Sequence, residues 1–315
     1  MKQPFFSIVV PCYNRAPFIG SLIKSIQNQG FEDFEIILID DGSTDNTKEV
    51  VSKIQNTENR IKYFFHSNRE RGASRNEGYK RSVGEFVMFL DSDDLLAENS
   101  LFLFKKLIEE NPGYKLYSSK FIINDKAGNK YPPVFYFKPG AYDFEMIIKG
   151  NPLGTMFLVK REYKNFILFP EERTFSTMED WLCLTFNMWY QKLFLGDFIG
   201  FILNEHEGRS MNQNKIVIER RLLATSEINN RMNLNSKQKR LLFGYSYYFC
   251  SVHAYLDFKR KQAWDYWKKA FFNVGLKKEL IFLIIKIVLG RSLINKIKNY
   301  GEKKNIDYRC CWLYC

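Results

Sequence analysis

Two clusters of carboxylates sit where a chain could do chemistry. Asp40-Asp41-Gly42-Ser43 follows the apolar run Phe34–Ile39, and Asp91-Ser92-Asp93-Asp94 follows Phe86-Val-Met-Phe-Leu90. If the two runs are neighbouring strands, at least five carboxylates crowd one edge of a sheet. Their mutual repulsion then calls for a cation or strong hydrogen bonding. Oxygen-only ligands select a hard divalent ion, Mg²⁺ or Mn²⁺. Such ions keep several waters and bind one or two carboxylates together with phosphates, so the implied ligand carries a diphosphate. Arg69, Arg71 and Arg75 lie between the clusters, in what reads as a loop, and suit phosphate or acids. The bland reading of Asp41-Gly-Ser-Thr-Asp45 is a turn with helix-capping residues. A further acidic pair occurs in Thr177-Met-Glu179-Asp180, whose spacing fits a capping box with Asp180 bonded to the Thr177 backbone N–H.

The elements that must hold these residues alternate. Ser7–Pro11 reads as a strand, Pro17–Gln29 as a helix with Phe18, Leu22, Ile23 and Ile26 inward, and Phe34–Ile39 as a strand. Helix 45–55, strand 61–65, helix 73–81 and strand 85–90 continue the series. Such alternation builds βαβ units on a parallel sheet, whose ligands bind at the carboxyl ends of the strands. The pattern then loosens. Leu101–Glu110 is an amphipathic helix, 115–124 and 130–137 read as a hairpin about Asp125–Asn129, 156–159 as a strand, 178–191 as a helix and 194–203 as a strand pair. The predicted fold class is therefore α/β with a mixed, mostly parallel sheet and flanking helices.

Several ordered motifs together carry a family resemblance. Ser7-Ile-Val-Val-Pro-Cys-Tyr-Asn-Arg15, Ser25-Ile-Gln-Asn-Gln29, Phe34-Glu-Ile-Ile-Leu-Ile-Asp-Asp-Gly-Ser-Thr-Asp45, Arg71-Gly-Ala-Ser-Arg-Asn76 and Phe89-Leu-Asp-Ser-Asp-Asp94 resemble a family 2 glycosyltransferase. The resemblance is strong over about residues 5–100 and weaker to about 210. It implies a GT-A fold, a nucleotide-sugar donor that is usually uridine-linked, and an inverting transfer. On that reading Pro11 and Tyr13 line the nucleotide pocket, Asp41 accepts from the uracil N–H, and Arg71 sits near the base or diphosphate. Asp93 is the first choice for direct metal ligand, Asp91 reaches the ribose or the metal through water, and Asp40 turns away by strand alternation. The implied cofactor is Mn²⁺ or Mg²⁺.

Inversion at an anomeric carbon needs a general base for the acceptor hydroxyl, standing apart from the metal. The family places it in a Glu-Asp pair opening a helix, which assigns Asp180, with Glu179 the alternative if the helix starts one residue later. Asn204-Glu-His206-Glu-Gly-Arg-Ser210 resembles the segment that follows, so His206 is a candidate for the metal or diphosphate; its bland reading is a solvated loop histidine. His66 and His253 are read as structural.

Charge is unevenly spread. The total of +12 divides into 26 basic against 28 acidic residues over 1–210 and 21 against 7 over 211–315. This proposes a catalytic domain at 1–210, with a nucleotide-sugar half at 1–100 and an acceptor half at 101–210, followed by a basic helical region at 211–315. Helices are expected over 216–232, 237–272 with breaks, and 276–298. Basic clusters with interfacial aromatics at Lys259-Arg-Lys261 and Trp264-Asp-Tyr-Trp267-Lys-Lys269 point to an anionic membrane surface. The competing reading packs these apolar faces on the catalytic domain. Family acceptors are frequently lipid-linked sugars, so a peripheral position on the inner face of the cell membrane, in the cytoplasm, is expected. The acceptor is then a glycan or lipid-linked saccharide used in cell-surface polysaccharide synthesis.

Other classes lack their signatures. There is no Gly-x-Gly-x-x-Gly after the first strand and no Gly-Lys-Ser/Thr turn, and neither a Gly-x-Ser-x-Gly elbow nor a nucleic-acid recognition module occurs. Six cysteines without a Cys-x-x-Cys pair fit a reducing compartment. Leu280–Leu289 is interrupted by Lys286 and is too short for the roughly 20 residues that span a bilayer. The tail Arg309–Cys315 is expected to be disordered and does not match a prenylation box. The surviving alternative is a GT-A-like protein that binds membrane or nucleic acid without catalysis.

Overall fold

The computed structural model describes residues 3–132, 137–206, 213–291 and 294. The chain divides into two compact units, residues 1–144 with 151–206, and residues 145–150 with 207–315.

The first unit is organised on β1 (Phe6–Cys12), whose seven residues are all buried, as are those of β2 (Phe34–Asp40). Both are mostly apolar, broken by Ser7 in β1 and by Glu35 and the terminal Asp40 in β2, as suits strands of a parallel sheet covered on both faces. Between them α1 (Ala16–Gln27) buries Ile19, Leu22, Ile23 and Ile26, one stripe at helical spacing, with Ile19 rather than Phe18 at its start. The series continues through α2 (Thr47–Gln55), β3 (Ile61–Phe65), α3 (Glu70–Arg81) and β4 (Phe86–Phe89). Strands β3, β2, β1 and β4 lie side by side and parallel. The ends of β2 and β4 are therefore not adjacent, since β1 runs between them.

Helix α3 begins at Glu70, earlier than its periodicity predicts, which puts Arg71 and Arg75 on its first two turns rather than in a loop. Its start is hidden in the sequence because the buried face is small and polar: Gly72, Ala73, Ser74, Arg75, Asn76 and Gly78. Gly72 is required there, since a Cβ would stand 2.1 Å from the Pro170 carbonyl oxygen.

The second half comprises β5 (Leu95–Leu96), α4 (Ser100–Glu110), β6 (Leu116–Asn124), β7 (Lys130–Tyr131), β8 (Gly140–Tyr142), β9 (Phe157–Lys160), α6 (Glu179–Met188) and β10 (Leu193–Asn204); between β8 and β9 the chain forms a one-turn helix α5 (Phe144–Ile147), whose residues from 145 belong to the second unit. Strand order across the sheet is β3-β2-β1-β4-β9-β6-β10-β5, with β9 antiparallel to both neighbours and β10 parallel to β6. Strands β6 and β7 form the expected hairpin, although 133–136 of that segment lie outside the described residues. The expected strand pair at 194–203 is instead one strand, β10, with register shifts against β6 between Gly196 and Ile199 and between Ile199 and Phe201. Bulges interrupt the alternation of side chains and so mimic a break.

The second unit contains α7 (Asn214–Arg231), α8 (Ser236–Leu256), α9 (Arg260–Val274) and α10 (Lys278–Leu289). Helix α8 starts on a capping box between Asn235 and Gln238. The core joins Cys250 and Ala254 of α8, Ala263, Trp267 and Ala270 of α9, and Leu280, Leu283 and Ile287 of α10. A Cβ on Gly244 would stand 2.3 Å from Val274, so this glycine allows α8 and α9 to approach. Helix α10 ends at Leu289, before Gly290 at φ 80°; the expected continuation toward 298 lies outside the described residues except for 291 and 294. No helix among the described residues is long and apolar enough to cross a membrane. The tail from 295 is likewise outside them.

Candidate active site

The loops after β1 and β2 are stitched together. Asn14, held at φ 51°, accepts from the Thr44 and Asp45 N–H groups at 2.8 and 3.2 Å, and the Asn14 N–H donates to Ser43 Oγ at 2.8 Å. Asp40 is fully buried and accepts from the Ser43 N–H and the Tyr63 hydroxyl, both at 2.7 Å. Asp41 lies at the start of α3, where Oδ1 accepts from the Arg69 N–H at 2.7 Å and His66 Nδ1 stands 3.3 Å away. Burial pushes its carboxyl above the usual value, partly offset by the Arg69 N–H and His66. Pro11 is buried at the end of β1, and the neighbouring Tyr13 is 46 % exposed.

At the end of β4 the partners are charged side chains from far along the chain. Arg75, 1 % exposed, donates to Asp91 Oδ1 at 2.7 Å and to Glu179 Oε1 at 2.9 Å. Burial alone would raise the Asp91 carboxyl; the Arg75 charge and hydrogen bond more than offset it and hold Asp91 below the ordinary range. Arg71 Nε approaches the same Glu179 oxygen at 3.7 Å. Arg75 thereby fastens the end of β4 to the first residue of α6. The buried atoms Arg75 Nε, Glu179 Oε2 and Thr177 Oγ1 have no hydrogen-bond partner among the described residues.

Asp93 Oδ2 meets His206 Nε2 at 2.7 Å and Arg15 Nη2 at 3.6 Å. The His206 ring packs on Phe18, with centroids 5.0 Å apart. Asp94 Oδ1 accepts from the Asn204 N–H at 3.0 Å, and the Asn204 side chain donates to the Asp93 carbonyl at 2.8 Å. These bonds bring the end of β10 against the acidic turn. Ligand atoms of Asp91, Asp93 and Asp94 lie within 4.8 Å of one another, close enough to hold one cation. The set is oxygen-only and suits Mg²⁺ or Mn²⁺. Within it Asp91 shares an oxygen with Arg75, Asp93 Oδ2 is met by His206, and Asp94 is 4 % exposed.

The capping box anticipated at Thr177 is absent. Thr177 stands at φ 77°, Met178 is the residue that precedes the helix, and no side chain caps it. The helix thus starts one residue later than that box requires, the condition under which Glu179 competes for the role of base. The surroundings separate the two: Glu179 is 3 % exposed and bound to Arg75, while Asp180 is only half-buried. Asp180 Oδ2 accepts from Asn151 Nδ2 at 2.9 Å and Oδ1 from the Trp181 N–H at 2.8 Å. Burial and the neighbouring Glu179 charge push its carboxyl up to about 7, against the opposing effects of Arg75 and the Trp181 N–H. A carboxylate near neutrality suits proton abstraction at physiological pH.

The structure therefore gathers Asp91, Asp93, His206 and Asp180 around the carboxyl ends of β4 and β10 and the start of α6. Asp41, Pro11 and Tyr13 stand at the ends of β1 and β2, with Arg71 on α3 reaching Glu179. Asn151 was not apparent from the sequence, where Asn-Pro-Leu-Gly reads only as a turn. Arg75 had a signal, its i+4 spacing from Arg71, but only burial shows that it binds carboxylates.

The family described as glycosyl transferase family 2 matches residues 7–166, half of the chain. The chain belongs to that family. A glucosyltransferase of Campylobacter jejuni, GalNAc(5)-diNAcBac-PP-undecaprenol beta-1,3-glucosyltransferase, is 42% identical over 129 residues, 40% of this chain and 41% of that protein. An uncharacterized glycosyltransferase of Haemophilus influenzae is 33% identical over 172 residues, 54% of this chain and 68% of that protein. In the first case the chain spans well under half of its relative's length. Among solved structures, residues 1–349 of TarS of S. aureus in complex with UDP-GlcNAc have a TM-score of 0.65 at 22% identity, covering 96% of this family 2 chain and 93% of that TarS fragment. The mannosyltransferase PcManGT of Pyrobaculum calidifontis, in complex with GDP-Man and Mn²⁺, has a TM-score of 0.58 at 15% identity, covering 95% and 84%. These likenesses establish the GT-A fold. The family match ends at residue 166, before α6.

Proposed function

We propose that the chain transfers a sugar from a uridine-diphosphate donor to a hydroxyl of a glycan or lipid-linked saccharide, with inversion, and that residues 1–210 form the catalytic domain. The observation that carries this reading is a pair of separated carboxylate sites, the acidic turn after β4 and the Glu179-Asp180 pair that opens α6, with Arg75 bonded to Asp91 of the one and Glu179 of the other. Asp41, at the helix start where Arg69 meets it, accepts from the uracil N–H, and Pro11 and Tyr13 border the base. Arg71 lies near the diphosphate. Glu179 Oε2 and Thr177 Oγ1, buried without protein partners among the described residues, suit the hydroxyls of the transferred sugar.

Asp93, with Asp91 and Asp94 beside it and His206 at its carboxylate, would hold Mn²⁺ or Mg²⁺. A divalent ion bound there supplies positive charge against the diphosphate as it leaves. Asp180 takes the proton of the acceptor hydroxyl at Oδ2, while Asn151 fixes the rotation of that carboxylate and Trp181 N–H holds the other oxygen. Arg75 keeps Asp91 ionised and anchors Glu179, so the donor side stays charged while the base side remains near neutrality.

The name of the Campylobacter relative, which acts on an undecaprenol-linked saccharide, supports a lipid-linked acceptor, and the basic second unit supports a peripheral position at an anionic membrane. A thermal-shift screen of nucleotide sugars with and without Mn²⁺, followed by NMR assignment of the product anomer, tests the proposal. A uridine donor that stabilises the chain in the presence of metal, and a product of inverted configuration, are expected. Stabilisation by no nucleotide sugar, or a product that retains the donor's configuration, would sink it. The alternative of a non-catalytic GT-A-like protein is disfavoured by the retention of both Asp93 and Asp180.

A further inference from the structure

Among the described residues, the second unit leaves one helix face without protein cover. Helix α10 buries Leu280, Leu283 and Ile287 in its own core. Ile281, Phe282, Ile285, Val288 and Leu289 are 39–58 % exposed. At 100° per residue these five fall within about one third of the helix circumference, so they form a stripe and not a scatter. Phe272 at the end of α9 and Leu276 in the turn before α10 add side chains that are 76 and 64 % exposed. An apolar stripe of this kind is uncommon on a soluble surface without a partner.

Charge decides what the partner is. Residues 213–291 carry 16 Lys and Arg against 5 Asp and Glu, a net +11. Lys277 and Lys278 are exposed where α10 begins. Glu279, the only acid on α10, is bonded to the Tyr245 hydroxyl at 2.8 Å. Two of the remaining acids, Asp257 and Asp265, pair with Lys259 and Lys268. An apolar stripe with a basic margin matches the boundary between headgroups and acyl chains of an anionic bilayer. Two copies meeting symmetrically through the stripe would instead set like-charged lysines against each other. At 12 residues, a rise of about 18 Å, the helix can lie in that boundary but is too short to cross it.

We propose that the outer face of α10, together with Phe272 and Leu276, is the surface by which the chain seats on anionic lipid. This deepens the membrane reading above and is independent of the transfer chemistry, because binding is measured without donor or acceptor. The experiment floats the full chain with phosphatidylcholine vesicles, with and without phosphatidylglycerol, at low and high salt. Wild type is expected to float with the phosphatidylglycerol vesicles and to release as salt rises. The double variant Ile285→Glu, Val288→Glu is expected to lose at least about ten-fold in partition, and Lys277→Glu, Lys278→Glu about five-fold or more with a weaker salt response. Circular dichroism and nucleotide-sugar binding serve as controls, since all four positions are exposed and outside the catalytic unit. Unaltered flotation of the Ile285, Val288 variant overturns the proposal, as does a wild type that ignores vesicles. Sedimentation velocity showing a wild-type dimer abolished by that variant would assign the face to self-association instead.

Discussion

The carboxylates at the end of β2 and those around β4 and α6 share their chemistry and strand-end or helix-start placement, yet they are neutralised differently. Asp40 is met by a backbone N–H three residues on and a hydroxyl 23 residues away, and Asp41 by a backbone N–H 28 residues away. Asp93 is met by a histidine 113 residues away, and Glu179 by an arginine 104 residues away. Local dipoles build a loop; charges drawn from remote segments build a site in which the total charge and its distribution are controlled. Asp41 stands between the two cases, held by a backbone N–H and faced by His66 at 3.3 Å.

The sharpest test of this contrast is Asp180→Asn, expected to lower kcat by about 10²–10⁴-fold with donor affinity retained. Retained turnover in a folded variant would remove the base from α6. Next is Asp93→Asn, expected to abolish the Mn²⁺-dependent part of donor binding, read by titration with and without metal; unchanged metal dependence would move the cation site elsewhere. Asp41→Asn is expected to weaken uridine-nucleotide binding by about ten-fold to a hundred-fold, in keeping with a charged hydrogen bond of about 1.5–3 kcal/mol. Asp40→Ala, its chain neighbour, should behave oppositely: about 1–3 kcal/mol of stability lost for each donor left buried, measured by chemical denaturation, with the nucleotide affinity of the folded fraction intact. Should both affect affinity alike, the distinction between loop and site fails at β2.

A smaller effect concerns pH. With Asp180 near 7 in the folded free protein, kcat/KM is expected to rise with pH through about 7 and then level. A carboxyl whose folded-state value lies above its unfolded one opposes folding as pH climbs past the unfolded value, and the cost is complete above the folded one. Asp180→Asn should therefore raise the melting temperature more at pH 8 than at pH 4. An equal gain at both would mean that the carboxylate is not held back by its surroundings.

The sequence made the βαβ series legible because buried strands and amphipathic helices announce themselves by period, and because Asp41, Asp91 and Asp93 fall directly after apolar runs. It was less informative where polar residues pack inward. Helix α3 hides its first turn behind Gly72, Ser74 and Arg75, and β10 hides its continuity behind two register shifts. The capping motif at Thr177 was a false lead, since its spacing is right but Thr177 adopts a left-handed backbone and the helix begins later. Asn151 lies 29 residues from Asp180 in a turn, so no periodicity could have joined them.

Strand β10 uses 12 residues where its partner β6 uses nine, and the surplus is taken up between Gly196 and Phe201. That slack acts as a buffer against changes in chain length. Removing Asp197, inside the slip, would alter the bend but leave the downstream pairings free to stay in step. Removing Ile202 would instead turn Asn204 and His206 toward the opposite side of the sheet, away from Asp93 and Asp94. Lineages that lengthen or shorten this strand should therefore do so between residues 197 and 200 and keep the last four positions in register.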